Sequence, residues 1–339
     1  MIWLNWRQFR LHALAGAVGL LVIAAYLLYL GFDVRDAHAA YRSRCADPGT
    51  CAQAKSQFEG AYRTTLLFLA GGLGLIPVLI GAFWGAPLVA RELELGTHRL
   101  VWNQSITRRR WLLGRIAFVG LAALVFAGSA SMLLTWAASP YDRVAADRFG
   151  TIVFGARHIA PIGYAFLSFV LGTVVGLLVR RTLPAMAITG VVFLIVQFAV
   201  PNLIRPHYMP PETTALPMTA QNINQAKNLG SITGAPAIGG LQVPGAPDAW
   251  VSEISPLRTA DGRTVPGSDF NGCLNSAPKT GAEGTFGDTA VCLSKLDLHV
   301  DFQYQPGSRY WTFQATETGL YLVVGAVLTA VALRRVRRS

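Results

Sequence analysis

Six apolar runs dominate this sequence, at residues 14–32, 65–89, 111–138, 159–179, 183–203 and 319–333. A helix needs about 20 mostly apolar residues to cross the hydrocarbon of a bilayer, and it satisfies every backbone polar group within itself. Five of the runs have about that length. The sixth is shorter and extends outward through 310–318, where Tyr310, Trp311 and Phe313 form an interfacial aromatic belt. The first run follows Arg7 and Arg10, but it is too long for a signal-peptide core and lacks a small-residue cleavage site, so it reads as a retained helix. Only 14% of the 339 residues are charged and 52% are hydrophobic, which excludes both a fully wetted surface and a disordered chain. The expected fold is an all-α polytopic membrane protein with six transmembrane helices and a small loop-rich or β outer domain before the last span.

The net charge of +11 raises nucleic acid as a partner until the charges are sorted by side. With the N-terminus inside, the inner segments hold fourteen basic residues against two acidic ones, Glu92 and Glu94, and the outer segments are nearly balanced. Lys and Arg near span ends stay in the cytoplasm. The charge therefore reports topology in the cell membrane, with both termini cytoplasmic, and no nucleic-acid partner is expected. All four cysteines fall in outer segments, Cys45 and Cys51 in the first loop and Cys273 and Cys292 in the large one. Four cysteines allow three pairings; loop sharing favours Cys45–Cys51 and Cys273–Cys292, and disulfides persist outside the cytosol. No CxxC or His-pair spacing points to a metal.

Residues 1–204 hold spans one to five with the inner loop 91–110. Residues 205–309 form the outer cap, and 310–339 the last span and a basic tail. The cap carries eleven of the eighteen prolines, and its strand-like stretches lie at 250–254 and 296–304. Its sparse aliphatic content is expected to bury little core alone, so it should pack on the membrane face or on a second copy. Asp297, His299 and Asp301 alternate on one strand face, which reads as solvated rather than cation-binding. No Ser/His/Asp spacing, carboxylate pair or metal cluster suggests catalysis there.

The inner loop between the second and third spans is the informative segment. The second span runs on through Glu92 and Glu94 and stops at Gly96, which suits a helix C′ position. Thr97 caps a short amphipathic helix carrying Leu100, Val101 and Gln104. Thr107 caps the third span, with Arg108–Arg110 at the headgroups. The arrangement Arg91-Glu92-x-Glu94-x-Gly96-Thr97, an apolar stretch and then Thr107-Arg108 resembles the coupling-helix region of ABC transporter permeases of the type-2 exporter (ABC-2 membrane) family. Six spans, cytoplasmic termini and a large outer loop before the last span resemble that family too. The Arg-rich composition and the Phe83-Trp84-Gly85-Ala86-Pro87 lead-in are similar to actinobacterial members. Two departures are Ser105 where the family often has proline, and Arg115 after Gly114 where it often has lysine.

The resemblance implies that the loop docks on a separate ABC ATPase subunit, present in two copies, and transmits its closure to a pair of permeases, expected as a homodimer. It implies that Glu92, Glu94, Gly96, Thr97 and Arg99 are coupling residues, with Leu100 and Trp102 as docking contacts. No Gly-x-x-x-x-Gly-Lys-Ser/Thr loop occurs, and all four lysines fall on the outer side. The chain is thus not expected to be an enzyme or to bind a cofactor, with ATP and Mg held by the ATPase partner. The expected function is an exporter (efflux) permease; the alternative is a membrane sensor whose outer cap binds an antibiotic or peptide.

Polar groups inside spans are functional candidates by default. Gln197, Glu317 and His158 are the translocation-path candidates. Glu317 is placed to bind a cationic substrate, to pair with Arg157, or to face water; Gln197 favours an interhelical hydrogen bond. Gly81-x-x-x-Gly85 and Gly172-x-x-x-Gly176 favour packing within the monomer over a subunit interface. Pro77 is expected to kink or loosen the second span.

Overall fold

A computed structural model describes residues 2–96, 107–232, 235–277 and 279–338. It divides into two units, residues 1–208 with 310–339, and residues 209–309.

The first unit holds six helical segments long and apolar enough to cross a membrane. The first is one helix, α1 (Ile2–Arg44), which outruns its apolar stretch by twelve residues at each end. Asp47 then caps α2 (Pro48–Gly74) by accepting from the Gly49 N–H, with a proline in the first turn.

The second span breaks once and changes helical type twice. After α2 come α3 (Ile76–Leu79), a π turn (Ile80–Gly85) and α4 (Pro87–Glu94). Pro77 and Pro87 each lack an N–H, so the carbonyls four residues earlier lose their helical donors. The chain between them rewinds with i→i+5 bonds such as Ala86 N–H to Gly81 O. The kink expected at Pro77 is thus a break at Leu75 followed by a π turn.

The third span, α5 (Arg108–Ala145), starts where expected, with the Thr107 hydroxyl accepting from the Arg110 N–H. A short α6 (Thr151–Ala156) leads to the fourth span, α7 (Ala160–Val179). The fifth runs through α8 (Thr182–Ala199), a π turn (Val200–Ile204) and a 3₁₀ turn (Arg205–His207). The sixth, α12, spans Tyr310–Arg338, and so includes the aromatic extension.

Burial ranks these helices. The fourth span is 61% buried over its most apolar window, whereas the first is 11% and the fifth and sixth are 22%. The fourth is therefore the hub. Leu21, Phe68, Leu183, Val191, Ile195 and Val327 stand exposed on the others, a pattern suited to lipid as the solvent. The two glycine motifs meet along the hub: a methyl on Gly172 would overlap the Gly81 carbonyl and the Ala86 amide, and one on Gly176 would lie 2.5 Å from the Ala86 carbonyl. Both motifs are used within this chain.

The second unit, residues 209–309, is an antiparallel sheet centred on β6 (Leu298–Gln305). β1 (Glu212–Pro217) lies on one side; β4 (Trp250–Ile254) and the short β5 (Arg258–Thr259) pair with β6 on the other. A hairpin of β2 (Asn228–Ile232) and β3 (Ala235–Gly239) stands apart. Helices α9 (Ala220–Asn224), α10 (Gly267–Ser276) and α11 (Gly287–Ser294) complete it. The expectation of little core is overturned: Leu216, Phe270, Leu293, Val300 and Phe302 anchor a cluster of fifteen buried residues. Nine of the fifteen are Leu, Ile or Val scattered along residues 216–300, which the fold gathers into one place. Cys273–Cys292 joins α10 to α11, and Cys45–Cys51 joins the end of α1 to α2. Asp297 precedes β6 in the left-handed region, φ +48°, so it is a turn residue rather than a member of the strand. Among the described residues no group of three His, Cys, Asp or Glu is placed to hold a metal ion.

Candidate functional site

Residues 97–106 lie outside the described residues, and with them the place of the expected amphipathic helix and of the expected coupling residues Thr97, Arg99, Leu100 and Trp102. Both ends of the segment are described. On its upstream side α4 stops at Leu95, and Gly96 takes φ +72°, a conformation that costs glycine little and other residues more. On its downstream side Thr107 caps the third span.

The two glutamates before Gly96 point to different helices. Glu92 is buried and ion-pairs with Arg115 of the third span. Arg115 also donates to the Leu88 carbonyl at 2.9 Å and lies over the Trp111 ring, 4.7 Å from its centroid. The arginine fork thus grips a side chain and a backbone carbonyl of α4 together, which a lysine's single ammonium does less well. Glu94 is exposed and accepts from Thr182 twice, from the N–H at 2.9 Å and the hydroxyl at 2.6 Å. Arg181, the residue at the fifth span's N-cap, makes no side-chain cap bond. Glu94 fills that role from another helix, where a carboxylate also suits the positive end of the helix dipole. Around these contacts Phe9, Val89, Trp111, Leu112, Ile116 and Val336 form a buried cluster.

The other ends of the helices carry two more buried ion pairs. Glu317 is fully buried and takes Arg205 bidentately, at 2.7 Å from Nε and 2.8 Å from Nη2. The Tyr164 hydroxyl donates to the same carboxylate, and the Arg205 guanidinium lies 3.9 Å over the Phe154 ring. Neither the proposed Arg157 partner nor the water-facing carboxylate is found. Arg157 pairs instead with Asp142 at 2.5 Å, and Arg205 has already neutralised Glu317.

His158 holds the entry to the fourth span in a left-handed conformation, φ +59°. Its N–H donates to the Thr135 hydroxyl and its carbonyl accepts from Ser131. Tyr310 Oη lies 2.8 Å from His158 Nδ1 and accepts from Gln314. Burial, then the Arg157 and Arg148 charges, push this histidine down to about 4. Gln314 in turn accepts from the Ala160 N–H and caps the fourth span from the sixth. Gln197 donates to the Gly74 carbonyl at 2.7 Å, where α2 breaks, which makes it an interhelical stitch.

Sequence reasoning named Glu92, Glu94, Gln197 and Glu317 but not their partners Arg115, Thr182, Gly74 and Arg205. Arg205 follows an apolar run directly, and Glu317 is the one acid in the last 38 residues. That pairing of one base with one acid at span edges was the available signal.

A family model described as ABC-2 membrane transporter related matches residues 17–205, more than half of the chain. The match runs from the first span to the arginine that meets Glu317. No curated protein and no solved structure matches.

Proposed function

The chain belongs to the ABC-2 membrane transporter related family, and on that premise we propose that it is the permease subunit of an ATP-driven exporter, coupled through residues 91–110 to a separate ABC ATPase. Transporter permeases of this family are membrane components, and the energy source proposed here is ATP with Mg on the partner. Two ATPase copies would act on two copies of this chain in the cell membrane. Both termini and the 97–106 segment would face the cytoplasm, and the disulfide-bonded cap would face outward.

One observation carries the reading. The segment expected to dock is framed on both sides by structured residues rooted in the helical unit: Glu92, Glu94 and Gly96 before it, and Thr107 after it. A push on such a segment reaches the spans without slack. The homodimer is proposed from what the family resemblance implies, and one crevice among the described residues is consistent with it. The crevice beside Pro77, lined by Leu73, Ala127, Ser131 and Pro161, is too narrow to hold a water molecule. An amphipathic molecule would then move between two copies, past the weakly buried first, fifth or sixth spans.

The test is co-purification with an ABC ATPase, sought first in the adjacent reading frames, followed by ATPase turnover of the complex in nanodiscs. Wild-type chain is expected to hold the ATPase and change its turnover, and Glu92→Ala and Gly96→Val to lose that effect. Failure to co-purify, together with unchanged turnover in both variants, would overturn the proposal. Binding of a peptide or antibiotic by the cap, indifferent to loss of the ATPase, would favour the sensor.

A further inference from the structure

The two glutamates that precede the loop do different work, each with a partner on another helix. The second span ends in α4, whose last turn is held at two points 23 and 88 residues away in sequence. At the first, Glu92 and Arg115 form an ion pair of two residues 9% and 4% exposed, with the Leu88 carbonyl on the same guanidinium. At the second, Glu94 supplies the N-terminal cap that the fifth span lacks from its own sequence. Each contact joins α4 to a different neighbour, and each is a discrete polar pair rather than diffuse packing. A helix end held only by apolar contact can slide; one held by a buried fork and a cap moves its partners with it.

We propose that Arg115 and Thr182 are positioning residues for the end of α4, which deliver its displacement to the third and fifth spans as two separable branches. The inference deepens the permease reading and rests on it. Arg115 orients Glu92 and ties α4 to the third span. Thr182 offers an N–H and an O–H to Glu94, so that lifting α4 draws the start of the fifth span with it. The fifth span then runs unbroken in chain from Thr182 to the Arg205 that meets Glu317, which places the far ion pair at the end of that branch.

The chain suits a labelling test, because all four of its cysteines are in disulfides. A bimane fluorophore is attached to Leu183→Cys on the fifth span, or to Leu113→Cys on the third; both positions are exposed. Emission is compared between nucleotide-free and ATP–vanadate-trapped complexes with the ATPase. In the wild-type background both labels are expected to shift. Glu94→Ala is expected to abolish the shift at 183 and keep that at 113, and Glu94→Gln, which retains the acceptor, to restore it. Thr182→Val, which removes the hydroxyl alone, is expected to reduce the shift at 183. The double change Glu92→Gln with Arg115→Met leaves no lone buried charge; it is expected to abolish the shift at 113 and keep that at 183. Shifts that persist at both labels in Glu94→Ala and in the double variant, with the complex still assembled, would overturn the proposal. So would simultaneous loss of both shifts in either variant. A wild-type chain that neither binds the ATPase nor shifts would instead bring down the permease reading beneath it.

Discussion

Replacing Glu317 by leucine removes the carboxylate and leaves Arg205 fully buried without a counter-charge. Both groups are 0% exposed, and the pair holds two hydrogen bonds at 2.7 and 2.8 Å, so water screens little of the loss. Breaking such a pair from one side costs about 3–5 kcal/mol. Arg205→Met should cost less, toward the lower end of that range, because Tyr164 still donates to the carboxylate left behind. The double variant strips both charges together and leaves chiefly the Tyr164 hydroxyl without its acceptor, a loss of about 1 kcal/mol. Its total cost is therefore expected to fall below that of either single change. Reversible unfolding in mixed micelles, followed by the fluorescence of the eight tryptophans, measures all three. Single changes that add to within about 0.5 kcal/mol would mean that the two groups do not act as a pair, and the reasoning would fail.

Along the glycine seam, Gly172→Ala should cost about 1–3 kcal/mol by overpacking against Gly81 and Ala86. Gly72→Ala, where a methyl meets nothing within 4 Å, should be neutral or stabilising in the same unfolding assay. His158 is held down to about 4 from an ordinary 6.5, so as pH falls the unfolded chain takes up the proton first. Stability present above pH 6.5 should decline steadily toward pH 4, and His158→Asn should flatten that decline in a thermal-shift series. Cys273 and Cys292 close a loop of 19 residues, and chain entropy assigns such a link about 3 kcal/mol. Cys273→Ser with Cys292→Ser should therefore leave the cap more open to trypsin, read by digestion rate, while the helical unit resists as before.

Local chemistry was legible and distant pairing was not. Thr107 as a cap, Gly96 as a stop and the break near Pro77 each follow from a residue and its immediate neighbours. The disulfides were legible because each pair shares a loop. Arg205 and Glu317 are 112 residues apart, and nothing in the periodicity of either helix names the other. Their charges were counted with the outer surface, where unpaired charges usually belong. Glu94 read as one of two similar acids, yet one is buried against Arg115 and the other exposed on Thr182. An offset of two residues, about 200° around α4, decides that difference, and only the helix's rotation reveals it. The cap's core was not legible because its Leu, Ile and Val residues are scattered along 216–300 among prolines and glycines, and only the fold gathers them.

The Arg205–Glu317 contact also sets a timetable for making the protein. Arg205 leaves the ribosome with the fifth span, while its acid lies 112 residues later, beyond the whole cap. At roughly 5–20 residues per second, translation takes on the order of 6–20 s to supply the partner. During that interval the fifth span is an apolar segment ending in an uncompensated cation, which favours holding it near the interface or the insertion machinery. The last helix to be synthesised thus neutralises one made well before it. A nascent chain truncated before Glu317 should linger at the insertion site, whereas one extended past it should be released into lipid.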